Sequence, residues 1–211
     1  MKNTVTETFN IDVPIFAFSH CRDVVAAVSK AGGFGVLGAV GHSPDALEID
    51  LKWIEDEVGE RPYGVDLIVP AKYEGSDEGG LTVHKIADMI PDAHHEYVSE
   101  ILEKYDVPEL AETKSGQFSM KNDGAAPMSA GTAGPQLEIA LAHNPSLVVN
   151  ALGPPPQFMI DQVKEAGRKV GALAGKAQHA ERHVNAGVDL IIAQGYEAGG
   201  HTGEIGSMVM I

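Results

Sequence analysis

Hydrophobic positions along the chain fall into two alternating patterns. Unbroken apolar runs occur at residues 14–19 (PIFAFS), 35–40 (GVLGAV), 63–69 (YGVDLIV), 147–153 (LVVNALG), 169–175 (KVGALAG) and 188–194 (VDLIIAQ). Runs that lack polar alternation suit strands covered on both faces, as in a parallel sheet. Between them the apolar spacing changes to three and four. In residues 43–59, Ser43 reads as an N-cap, Pro44 fits the first helical position and Asp45 complements the helix dipole. Leu47, Leu51, Ile54 and Val58 then form one stripe, and Gly59 supplies the stop. Residues 157–167 repeat the plan with Met159, Val163 and Ala166 inward, and residues 176–187 with Ala177, Ala180 and Val184 inward. Strand starts recur about every twenty residues apart from one long gap, the period of successive βα units, so the fold class is α/β.

The gap, at about 71–133, has a different character. A polar start leads into a helical pattern over 91–110 and then a tract of small and polar residues, 113–135. Long insertions in such folds commonly cover a substrate, so this segment is expected to act as a lid, with a weakly ordered loop as the alternative.

Charge narrows the partners. Thirty acidic against fifteen basic residues give a net charge of −15, which repels nucleic acid and anionic membranes. A small-molecule ligand is the expected partner. One cysteine, Cys21, excludes an internal disulfide, and neither a signal-peptide core nor an apolar run long enough to span a membrane is present, so a cytoplasmic location is expected.

The candidate chemistry gathers after the last apolar run, where residues 193–206 read AQGYEAGGHTGEIG. A loop beyond the C-terminal end of a parallel strand lies where these folds bind ligands, and glycines let main-chain amides approach a phosphate or a flat ring. A purely conformational loop is the alternative. Within it, AQGxEAGGHxG resembles a signature of the nitronate monooxygenase (2-nitropropane dioxygenase) family, FMN-dependent TIM-barrel flavoproteins. Residues 25–47, 61–70 and 147–156 are similar to the same family.

The resemblance implies an FMN-dependent oxidoreductase that oxidises alkyl nitronates with oxygen. It assigns Gln194, Gly195, Gly199 and Gly200 to the flavin, with His201 facing the same pocket. It places Ala17, Phe18 and Ser19 near the isoalloxazine ring and Asp66 beside it, where the family commonly has asparagine. Family members that oxidise nitronates carry a histidine base just after strand four, whereas residues 148–153 read VVNALG. Asn150 can hydrogen-bond but cannot take a proton near neutral pH, so Asn150 and His201 are the remaining catalytic candidates. A substrate arriving as an anionic nitronate needs no base. Neither does hydride transfer in a flavin-dependent enoyl reductase of related fold, the first alternative. A phosphate-sugar isomerase barrel is a further one.

Six strands can be counted where a TIM barrel has eight. The expectation is therefore a partial (β/α) barrel, truncated after about six units, that lacks the phosphate anchor and binds FMN weakly or not at all. Its open sheet edges would favour self-association, and a catalytically silent fragment is the third alternative.

Remaining groups receive plainer readings. His179 and His183 share helical spacing, but HAERH is not HExxH, and both are expected on the flank or outside of their helix, with no metal. His94 and His95 are expected on the surface. Cys21 beside His20 has no third partner for covalent catalysis, although His20 can border the pocket.

Overall fold

The computed structural model describes residues 2–73, 75, 80–108, 128–200 and 202–210. Six parallel strands, β1 (Phe16–Ser19), β2 (Phe34–Gly38), β3 (Tyr63–Leu67), β4 (Leu147–Asn150), β5 (Lys169–Ala174) and β6 (Leu190–Ala193), pair in chain order without a reversal. Sequential parallel order is that of a singly wound (β/α) sheet, with crossover helices on one face and the concave face free for an interior.

Side-chain alternation divides the strands accordingly. Leu37, Val65, Leu67, Val148 and Val170 point to the helix layer. There they meet α2 (Arg22–Lys30), α3 (Pro44–Val58), α6 (Ala130–Ala142) and α7 (Gln157–Glu165). The predicted stripe Leu47, Leu51, Ile54 and Val58 is buried throughout, Ser43 caps α3 through Ala46 N–H, and Gly59 at φ 61° ends it. Each buried aliphatic side chain contributes roughly 1.5–3 kcal/mol. On the inner face Phe34, Val36, Leu147 and Val149 pack with Phe9 and Ile11. Phe9 comes from α1 (Thr4–Phe9), which Asn3 and Thr6 start through a capping box. Phe9, Phe16 and Phe34 contact one another at centroid distances of 4.8–5.2 Å, so aromatic rings fill the N-terminal half of the interior.

Several sequence expectations need correction. The edge strands are not covered on both faces: Ile192 is partly exposed on β6 and Phe18 is 55% exposed on β1. In α7, Met159, Ile160 and Val163 are buried, but Ala166, at the helix end, is exposed. In α8 (Ala177–Ala186) the expected inner face is wrong. Val184 is 61% exposed and Ala177 is exposed, whereas His183 is 1% exposed. The reason is a main-chain acceptor. The β4–β5 ladder ends at Asn150 and Ala172, and His183 Nε2 donates to the next carbonyl, Leu173 O, at 2.9 Å.

Between β3 and β4 lie α4 (Val83–Asp88) and α5 (Asp92–Lys104), neither with a buried residue, and His94 and His95 are exposed. The helical pattern over 91–110 is realised over the shorter α5. The segment expected to run to 133 also includes the start of α6, whose capping box joins Ser129 and Thr132. The tract 109–127 lies outside the described residues.

Candidate functional site

At the C-terminal ends of the strands the concave face opens into a trough. Alternation from Val36 and Gly64 brings Gly38 and Asp66 onto this face, side by side in register. Phe18 belongs to it as well, because a Cβ built on Gly38 would meet the Phe18 ring at 2.5 Å and His20 Cε1 at 2.8 Å. Gly38 is glycine because two rings occupy that space. His20 is fixed by a 2.8 Å bond between Nδ1 and the Gly38 carbonyl, edge-on to Phe18.

Asp66 is the unusual group here. Neither carboxyl oxygen has a hydrogen-bond partner among the described residues, and Oδ1 is sealed from solvent. Burial alone pushes its pKa up to about 7, since an unpaired carboxylate in a low-dielectric setting favours its neutral form. The residue as a whole is only partly buried, so the carboxyl still borders the trough.

On the far side, β6 leads into the glycine loop. Gln194 N–H donates to Ala174 O, and its own carbonyl lies 2.7 Å from where a Gly203 Cβ would stand, so that position excludes a side chain. Tyr196 N–H bonds Ile205 O, closing the loop. Glu197 accepts from the main-chain N–H and hydroxyl of Ser207, the first residue of α9 (Ser207–Met210). Gly199 and Gly200 have open space around them, with Gly200 at φ 74°. Their main chain is therefore accessible to a flat ligand.

The predicted residues are thus split. Phe18, His20 and Asp66 gather at the ends of β1 to β3, whereas Gln194, Gly195, Gly199 and Gly200 follow β6, with Gly199 and Gly200 open and Gly195 buried against Glu197 and Ser207. Three strand spacings, about 14 Å, separate β3 from β6. Ala17 and Ser19 alternate to the opposite face from Phe18, and Ser19 Oγ accepts from Cys21 N–H. His201 lies outside the described residues.

Asn150 is placed away from the trough. It shares the parity of Val148, is fully buried, accepts from Val69 N–H at 2.8 Å and donates to the carbonyls of Leu152 and Gly153. Its amide ties two loops together and has no free donor facing a ligand. Cys21 is exposed at the N-cap of α2, its thiol directed at Asp23.

Sequence reasoning missed a polar cluster at the same end of the sheet. Asp50 receives Arg22 Nη1 at 2.8 Å and faces His42 Nε2 at 3.0 Å, while Arg22 lies over the Trp53 ring. Gln136 holds the neighbouring loop by donating to the carbonyls of Ala39 and His42. No motif signals these contacts, which join residues from three helices. A cavity of about 740 Å³ lies elsewhere, at the N-terminal ends of the strands between Asn10, Arg61, Asn144 and Arg168. Ligand chemistry in such folds belongs to the opposite face, so this cavity is not taken as the active site.

A singly wound parallel sheet with its crossover helices outside defines a (β/α)-barrel-type fold. The family model described as nitronate monooxygenase matches residues 2–210, and the chain belongs to that family. A Mycobacterium tuberculosis protein named as a monooxygenase is 47% identical over 211 residues, covering 100% of this chain and 55% of the relative. A protein of Staphylococcus saprophyticus named as a nitronate monooxygenase is 29% identical, covering 96% and 51%. The chain therefore spans about half the length of the curated relatives it matches. Among solved structures, FabK from Thermotoga maritima superposes with a TM-score of 0.65 at 21% identity, covering 100% of this chain and 49% of that one. Nitroalkane oxidase from Streptomyces ansochromogenes gives 0.64 at 24%, covering 95% and 51%. At these identities the two structures establish the TIM-barrel-type fold alone.

Proposed function

We propose that the protein takes part in FMN-dependent oxidation of alkyl nitronates by oxygen. The observation that carries this reading is the position of the Gln194–Gly200 loop, which projects from β6 at the same end of the sheet as Asp66 in a chain of the nitronate monooxygenase family. The residues present suit a flat cofactor. The main chain at Gly199 and Gly200 is unobstructed, and Phe18 offers an exposed ring. When bound, FMN would accept electrons from the nitronate and be reoxidised by oxygen.

The chain's own residues would bind and orient. Gln194, Gly195, Gly199 and Gly200 would approach the cofactor through amide groups, with His201 from the same loop. Phe18 would stack an apolar face against it, with Ala17 and Ser19 as its neighbours on the strand, and Asp66 would stand beneath. An anionic nitronate needs no proton abstraction, which accords with the lack of histidine after β4. Oxygen uptake with propyl-2-nitronate at saturating FMN tests this. Uptake that depends on both nitronate and FMN supports the reading. No uptake, with NAD(P)H consumed on an enoyl thioester instead, would replace it with the enoyl reductase alternative. Silence in both assays would leave a binding fragment.

A further inference from the structure

We infer that Asp66 is a proton-accepting catalytic residue that converts neutral nitroalkanes to nitronates in the trough, so that the substrate class extends to the uncharged carbon acids. This rests on the nitro-compound reading proposed above. In the step, Asp66 takes a proton from the carbon bearing the nitro group. The C–H bond breaks, an O–H bond forms on the carboxyl, and the electron pair spreads onto the nitro oxygens.

Geometry supports this assignment. Asp66 lies at the C-terminal end of β3 on the concave face, where substrates of such folds react. Its carboxyl has no partner among the described residues, so no existing hydrogen bond must be broken for it to act. The Phe18 and His20 rings fill the space over the glycine beside it and Val149 is its neighbour on β4, so Asp66 is reached from its partly exposed side. Gly38 is its register neighbour on β2, Gly64 lies two residues below it, and Gly171 lies beyond Val149 on β5.

The titratable groups on the surrounding described elements are few. β1 contributes His20, held by the Gly38 carbonyl, and β5 contributes Lys169 at the far, N-terminal end of the same face. The inner positions of β2, β4 and β6 carry none. No charged neighbour contributes to the raised pKa of Asp66, which arises from burial and puts its titration near neutrality. A base in that range is both ionised often enough and basic enough to remove an activated proton. Asn150, at the β4 position where the histidine base would be sought, is bonded into loops instead.

Proton abstraction needs neither flavin nor oxygen, so the test separates it from the oxidation. The 211-residue chain is incubated with nitroethane in D2O, without FMN and without oxygen, and loss of the methylene signal is followed by proton NMR. Expected is protein-dependent exchange that rises with pH through about 7 and then levels, after subtraction of buffer exchange. Asp66→Asn should reduce it roughly a hundredfold, the usual contribution of a positioned base, and Asp66→Glu should restore part of it. Absence of exchange in the wild-type chain, equal rates in Asp66→Asn, or loss in His20→Gln with Asp66→Asn unchanged would each overturn the inference. Exchange without nitronate oxidation would sink the proposed function and leave this inference standing.

Discussion

The two ends of the sheet treat a buried or half-buried carboxyl in opposite ways. At the N-terminal end, Glu55 of α3 accepts from Tyr63 Oη at 3.0 Å, from His143 Nδ1 at 2.9 Å and from Asn144 N–H at 2.7 Å. Burial works to raise its pKa, but these donors outweigh it and the net shift is downward. His143 also reaches Glu48, and the two carboxylates raise its pKa against the effect of burial. At the C-terminal end, Asp66 has burial and no donor among the described residues, and its pKa rises. Similar chemistry is thus spent on stability at one end and left free at the other, as expected where scaffold and reactive faces are separated.

The largest test of this contrast compares two aromatic residues on the same concave face. Phe34 is fully buried among Phe9, Phe16 and Leu147. Phe34→Ala should cost about 3–5 kcal/mol by urea denaturation. Phe18, at the trough, is 55% exposed, and Phe18→Ala should cost less than about 1 kcal/mol. Equal costs would mean that the interior is packed alike at both ends.

Asp66→Asn comes next and depends on pH. The folded pKa lies above the unfolded one, so the neutral carboxyl is tolerated fully at pH 4, and stability is lost as pH rises through about 7. The substitution removes that loss. It should change stability little at pH 4 and raise it by on the order of 3 kcal/mol at pH 8. A pH-independent effect would show that Asp66 has a partner in solution. A smaller change is Tyr63→Phe, which removes one donor from Glu55 and should cost about 1 kcal/mol at neutral pH.

Legibility followed how local each cause is. The stripe on α3 needed only its own periodicity and caps, and every member is buried. On α8 the same reasoning chose Val184 over His183, because a histidine is polar by composition. Its burial follows from a carbonyl left without a strand partner, and that depends on where β4 stops relative to β5. Asn150 was legible as a polar residue at a strand end. Which face it takes is set by parity with Val148, and its loop bonds decide the rest.

By itself the sequence determined the βα order, the capped helices, the glycine loop and the family resemblance, because each depends on residues near one another in the chain. Only the tertiary structure decided which carboxyl gathers donors and which is governed by burial, and which face a strand residue shows. Those properties depend on groups that folding brings from distant strands and helices, and a carboxyl's proton affinity is fixed by that company.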